Sequence, residues 1–190
     1  MYEYHKAWFF KNIVEELHKI KEKDPSAKSI FEVFCLYPGV HAVLIHRFAY
    51  HFYKLKMTVL AEIIAKVARL LTGIDIHPSA RIGSGVLIDH GMGVVIGENV
   101  VIGDGCIIYQ GVSLMADKKL PADCLVLGKN VLVGSGAVVV GAYEIGDNCK
   151  IASNAVVLDA IPKDSTVAGV PAIVVKQNGI RIKVLPQPLH

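Results

Sequence analysis

Ile96-Gly97-Glu98-Asn99-Val100-Val101-Ile102-Gly103-Asp104-Gly105-Cys106-Ile107-Ile108 carries a branched aliphatic at every sixth position, with small or turn-forming residues between. The period extends in both directions. Upstream it includes Ile76, Ile82 and Ile88, which a two-residue insertion separates from Ile96. Downstream it reaches Leu114, breaks, and resumes at Leu127, Val133, Val139, Ile145, Ile151 and Val157. Helices cannot hold such a pattern, because each interior glycine costs about 1 kcal/mol relative to alanine. Gly83, Gly85, Gly97, Gly103, Gly105, Gly128, Gly134, Gly136 and Gly146 all fall in the intervening places. Alternation within a hexad, as in Ile82-Gly83-Ser84-Gly85-Val86-Leu87, suits short strands joined by turns that glycine permits. A single coil cannot bury its own apolar side, so coils stack into a prism with an aliphatic interior. Thirteen hexads at three per turn predict a parallel β-helix of four to five coils.

Before Gly73 the period is helical. Trp8, Ile13, Val14 and Leu17 mark a first helix, interrupted at Asp24-Pro25. A residue preceding proline is pushed out of the helical region, while proline opens a new helix well. Further helices are expected at about 28–36, 39–55 and 57–72, with Pro38-Gly39 as a break and Gly73 as a C-terminal stop. The expected organisation is α+β: a helical domain at 1–73, a β-helix at 74–175 and a tail at 176–190. Tyr37, His41, His46, Arg47, His51 and Tyr53 share no metal-ligand spacing, and most of them read as packing or surface residues.

Composition narrows the function classes. With 53% hydrophobic and 19% charged residues among 190, the chain has enough apolar surface to offset the entropy of ordering. A net charge of +3 does not by itself imply a nucleic-acid partner. The apolar run from Met57 to Leu71 is broken by Glu62, Lys66 and Arg69, so no membrane span is expected, and no signal peptide is seen. Cys35, Cys106, Cys124 and Cys149 lack CxxC spacing, which argues against a zinc or disulfide framework and fits a reducing cytoplasm.

The chemistry concentrates at Asp89-His90-Gly91-Met92-Gly93, where the hexad register slips by two residues. An insertion in a solenoid bulges the backbone and frees side chains from the wall. Asp75 lies fifteen residues earlier, nearly one eighteen-residue coil, so it is expected beside His90 on the adjacent coil. A carboxylate on one imidazole nitrogen fixes the tautomer and raises the basicity of the other, as a general base requires. The alternative is a surface Asp–His pair in a loop. A three-histidine zinc site lacks ligands, since the repeat region holds only His77 and His90.

Asp24-Pro25, Gly39-Val40-His41-Ala42, Ile74-Asp75-Ile76-His77-Pro78, Ile88 through Glu98 and Ala168-Gly169-Val170-Pro171-Ala172 together resemble the serine O-acetyltransferase family, over about residues 20 to 180. The helical part resembles the short form of that family. The resemblance implies a left-handed β-helix, although parallel crossovers are ordinarily right-handed. It further implies His90 as general base on the serine hydroxyl, Asp75 as the carboxylate orienting it, and Asp24 and Asp89 as binders of the amino acid. Acetyl-CoA is implied as co-substrate, with no tightly bound cofactor and no metal. Gly134, Ser135, Gly136 and Ala137 resemble a wall of the CoA groove, with Ala152, Ser153 and the Ala168-to-Ala172 turn as further candidates. A homotrimer is expected, and O-acetylserine sulfhydrylase is the expected partner by resemblance. That partnership uses a C-terminal isoleucine, where this chain ends in His190.

One segment departs from the pattern. The family follows a Gln-Gly-Val-Thr-Leu strand with Gly-Gly-Thr-Gly-Lys and then Arg-His-Pro. Here Gln110-Gly111-Val112-Ser113-Leu114 is followed by Met115-Ala116-Asp117-Lys118-Lys119-Leu120-Pro121-Ala122-Asp123-Cys124. Asp123 and Cys124 fall where the arginine and histidine belong, and an arginine suits a substrate carboxylate through a bidentate bond. Three readings stay open: Lys118 or Lys119 supplies the charge, the acceptor is a different small hydroxyl compound, or the chain is a weakly active scaffold. Cys124 reads as an ordinary loop or wall residue.

Overall fold

The computed structural model describes residues 13–24, 26–117 and 124–182. Trp8, Pro25, Lys118, Lys119, Asp123 and the tail from Lys183 lie outside them. Four helices come first: α1 (Ile13–Lys23), α2 (Ile30–Leu36), α3 (Pro38–Lys54) and α4 (Thr58–Thr72). Ser29 caps α2, its hydroxyl accepting the Glu32 N–H at 3.1 Å. Pro38 opens α3 rather than breaking the chain before it, because the first turn needs no N–H from that residue. Gly73 closes α4 in the left-handed conformation (φ +73°), its N–H on the Arg69 carbonyl at 2.8 Å.

The strands then wind through five coils of parallel ladder. The first is β1 (Asp75–Ile76), β2 (Arg81–Ile82) and β3 (Leu87–Ile88); the second is β4 (Val95–Ile96), β5 (Val100–Ile102) and β6 (Ile107–Ile108). The third is β7 (Ser113–Met115), β8 (Leu125–Leu127) and β9 (Leu132–Val133); the fourth is β10 (Val138–Val140), β11 (Glu144–Ile145) and β12 (Lys150–Ile151). The fifth holds β13 (Val156–Val157), a bridge from Ile161 to Ile145, and β14 (Ser165–Ala168). Three faces result: face A is β1-β4-β7-β10-β13, face B is β2-β5-β8-β11, and face C is β3-β6-β9-β12-β14. The hexad aliphatics stack inside each face. Ile76, Ile96, Leu114, Val139 and Val157 form one column, and Ile88, Ile108, Val133, Ile151 and Val167 another. All of these are buried. β15 (Ile173–Gln177) and β16 (Ile180–Arg181) turn back antiparallel on β14, so face C runs past residue 175, where the sequence reading ends the β-helix.

The helices cover the outside of face C near its start. Leu17, Ile20, Ala27, Val33 and Val40 pack with Leu87, and Ile107 lies against them. Glu16 and Arg47 tie α1 to α3 at 2.5 Å, and Lys23 reaches the Gly85 carbonyl at 2.6 Å. The closest joint is at Gly39, where a Cβ would stand 2.1 Å from the Ile88 carbonyl oxygen. Only glycine lets the α3 backbone approach β3 so closely. That contact matters for function, because Ile88 is two residues from His90 and Gly39 is two residues from Tyr37.

Candidate active site at the corner between faces C and A

The corner joining β3 to β4 spans residues 89–94, against 109–112 and 134–137 on the coils above, and this is the two-residue insertion read from the sequence. His90 occupies it with φ +58°, a left-handed conformation uncommon outside glycine, and its side chain is 75% exposed. Gly91 follows, also left-handed at φ +48°; a Cβ there would meet Ile74 Cδ1 at 2.5 Å. The chain therefore dives inward at Gly91 and presents the preceding imidazole outward. The nearest carboxylate recorded for that imidazole is Asp89, with Oδ1 3.9 Å from Nε2.

Asp24, at the end of α1, joins the same corner from the helical side. Oδ2 accepts the Tyr37 hydroxyl at 2.5 Å, and Oδ1 accepts the Ser26 N–H at 2.8 Å and its hydroxyl at 2.7 Å. These donors, Tyr37 first and then Ser26, hold the carboxyl below its usual range, and His90 is near enough to add to the effect. The tyrosine is raised by the same bond. Tyr37, read from sequence within a group that mostly packs or lies on the surface, is thus bonded to Asp24. Nothing in its spacing marks it, because the bond joins two helices thirteen residues apart.

Asp75 is placed differently from expectation. The insertion lengthens the first coil, so the ladder sets Asp75 against Val95, twenty residues on, and not against His90. Its carboxylate is taken by α4: Oδ2 accepts Arg69 Nη1 at 3.0 Å, and Oδ1 lies 3.5 Å from Lys66 Nζ. The expected Asp75–His90 pair is not formed in this chain. Fifteen residues approximated one coil only while the insertion was left out of the count.

Gly134 to Ala137, Ala152 and Ser153 lie on the same corner as His90, two and three coils above it. Three glycines stack along the edge between them. A Cβ at Gly93 would stand 3.8 Å from Gly111 Cα, and one at Gly111 would stand 3.5 Å from Gly136 Cα. Turn bonds climb this edge, from Gly93 N–H to Gly73, Gly111 to Met92, Gly136 to Gln110 and Asn154 to Ser135. The Ala168-to-Ala172 turn closes it at the top, exchanging hydrogen bonds with Val156. The divergent segment connects β7 of face A to β8 of face B, and its residues 118–123 lie outside those described. Cys124, half-buried, stands at its end.

Of the helical polar residues, His41 lies on the Phe34 carbonyl (Nε2···O 2.6 Å), and His46 is buried, with the His77 and Ala80 backbone beside its ring but no hydrogen bond of good geometry to either nitrogen. Burial pushes His46 down to about 4. Among the described residues no group of three or more His, Cys, Asp or Glu is arranged to hold a metal, and no helix is long and apolar enough to cross a membrane.

Comparison with known proteins meets this geometry at several points. Residues 125–159 match the model of the bacterial transferase hexapeptide (six repeats), and residues 93–116 that of the hexapeptide repeat of succinyl-transferase. The serine acetyltransferase of Bacillus pumilus (strain SAFR-032) is 43% identical over 195 residues, covering 95% of this chain and 87% of its own length. Neisseria gonorrhoeae serine acetyltransferase in complex with serine superposes with a TM-score of 0.81 at 35% identity, over 86% of this chain and 67% of that one. The Brucella abortus strain S19 enzyme in complex with coenzyme A gives 0.82 at 34%, over 87% and 66%. An exposed histidine at the foot of a glycine-lined edge, with two carboxylates beside it, is thus set in a chain that belongs to the serine acetyltransferase family.

Proposed function

We propose that this chain transfers the acetyl group of acetyl-CoA to the hydroxyl of L-serine, giving O-acetylserine and free CoA. The observation that carries this reading is His90 itself, turned outward by its left-handed backbone at the foot of the glycine edge, with Asp89 and Asp24 beside it. A hydroxyl is a poor nucleophile until a base takes its proton. His90 takes that proton as the serine oxygen attacks the thioester carbonyl. The tetrahedral adduct collapses, the C–S bond breaks, and the imidazolium returns the proton to the leaving sulfur. Asp24 and Asp89 receive the serine ammonium. The pantetheine arm follows the edge past Gly111 and Gly134–Ala137, where stacked glycines carry no side chain of their own. Asp75 as the carboxylate that orients the base rests on the family resemblance alone, and requires its carboxylate to leave Arg69 and Lys66 for the imidazole. Lys118 and Lys119 are assigned to cofactor binding, with either one able to supply the positive charge that the divergent segment otherwise lacks.

Other features of the reading are a left-handed winding, a cytoplasmic location, and division at residues 73 and 175 into helical part, β-helix and tail. A homotrimer is supported by the uncovered apolar side chains of α4 (Val59, Ile63, Val67, Leu70) and of face A (Val95, Met115). O-acetylserine sulfhydrylase is the proposed protein partner. A second acceptor class, another small hydroxyl compound bearing an amine, is favoured by one observation: residues 115–124 lack the family's arginine and histidine.

The test is thiol release from acetyl-CoA, with L-serine and a panel of small amino alcohols as acceptors. Serine-dependent release that falls about 10²- to 10⁴-fold in His90→Ala supports the proposal. Turnover of another acceptor with none of serine moves the assignment to the second class. Release that persists at wild-type rate in His90→Ala refutes the base.

A further inference from the structure

Asp24 is held more tightly than a substrate contact on a surface needs to be. An ionised carboxylate offers about four acceptor positions. Three are filled from within the chain: the Ser26 N–H and hydroxyl on Oδ1, and the Tyr37 hydroxyl on Oδ2 at 2.5 Å. One position on Oδ2 is left over. The Tyr37 main chain, from which that hydroxyl extends, is pinned from both sides. Its N–H closes α2 on the Val33 carbonyl at 3.3 Å, and its carbonyl opens α3 by accepting the Val40 N–H at 3.0 Å. α3 in turn is fixed against Ile88 by the Gly39 contact. A rigid chain of contacts therefore runs from the His90 corner through Ile88, Gly39 and Tyr37 to Asp24.

We propose that Tyr37 is a positioning residue for the acceptor. Together with Ser26 it fixes the rotamer of Asp24 and leaves one lone pair on Oδ2 aimed at a single ammonium N–H of the amino-acid substrate. The inference rests on the acceptor-binding role of Asp24 proposed above and extends it to specificity: the site selects an amine-bearing alcohol through a carboxylate whose other lone pairs are occupied. Binding lost here is lost equally in the ground and transition states, so it appears in KM and not in kcat.

The experiment is a double-mutant cycle on the full chain with Tyr37→Phe, Asp24→Asn and both together, read by calorimetric titration with L-serine and by KM and kcat. Tyr37→Phe is expected to weaken serine binding about tenfold and to leave kcat and the acetyl-CoA KM within about twofold. The same substitution in the Asp24→Asn background is expected to change nothing further, and 3-hydroxypropionate, which lacks the amine, should not distinguish Tyr37→Phe from wild type. Ser26→Ala, a change at an exposed residue with no packing to lose, should reproduce a smaller loss if the carboxylate is what matters. Serine binding unaltered by Tyr37→Phe overturns the inference, as does an equal loss in the Asp24→Asn background or no serine binding by wild type. Absence of serine-dependent CoA release, with the calorimetric cycle behaving as described, refutes only the transfer reaction.

Discussion

Replacing Gly39 by alanine sets two effects of opposite sign against each other. Helix propensity favours alanine by at most about 0.5–1 kcal/mol, the interior value, and by less at Gly39, the second residue of α3. The tertiary contact opposes it. The added Cβ would stand 2.1 Å from the Ile88 oxygen and 2.9 Å from Ile88 Cβ, short of ordinary contact by more than an ångström at the oxygen. Ile88 yields little, because the residues on either side of it in β3 are bonded to β6. Leu87 N–H is on the Cys106 carbonyl at 2.9 Å, and Asp89 N–H is on the Ile108 carbonyl at 2.8 Å. The helix must therefore move. Overpacking of this kind costs about 1–3 kcal/mol, and a rigid backbone oxygen places this site at the upper end. Subtracting the propensity gain leaves about 2 kcal/mol of net destabilisation, or a Tm lowered by about 4–8 °C for a chain of this size. The shift also carries Tyr37 and Asp24 away from His90, and a displacement near 1 Å in a reacting geometry costs about 10²-fold in rate. Thermal melting by circular dichroism and kcat/KM for the acceptor read the two consequences separately. A Tm equal to or above wild type would show that propensity wins and that α3 is not seated on β3 as described.

Two more outcomes follow from burial. His46 is buried, and that burial pushes it down to about 4. The unfolded chain binds its proton near 6.5, so between those values the unfolded state holds more protons and stability falls as the pH drops. Denaturant melts at pH 7 and pH 4.5 should lose a few kcal/mol more in wild type than in His46→Leu, and parallel losses would assign the pH dependence elsewhere. Burial likewise pushes the Cys106 thiol up to about 11, and raises that of Cys149, so neither is a thiolate at neutral pH. Iodoacetamide at pH 8 should label exposed Cys35 in the native protein and spare these two, as read by peptide mass spectrometry. Labelling of Cys106 at the rate of Cys35 would show that the coil interior opens.

Much of this molecule is written locally. The hexad aliphatics from Ile76 to Val157 specify the β-helix because each coil repeats the same short-range choice, a branched residue inward and a turn residue at the corner. The insertion at 89–93 is equally legible, as a break in a strict period, and it lies at the corner that holds His90. The helix stops at Asp24-Pro25 and Gly73 follow from backbone restrictions that act within a few residues.

What the sequence could not decide is who meets whom across that framework. The same insertion that exposes His90 displaces Asp75 from beneath it by lengthening the coil, and α4 then claims the carboxylate with Arg69 and Lys66. Tyr37 stood in a group that mostly packs or lies on the surface until α3 was seated on Ile88 and brought its hydroxyl to Asp24. Period and turn chemistry are properties of neighbours along the chain, and they fix the prism and the place of its base. Ion pairs and hydrogen bonds between helices depend on side-chain direction and on contacts of a few ångströms. Only the packed structure sets those distances.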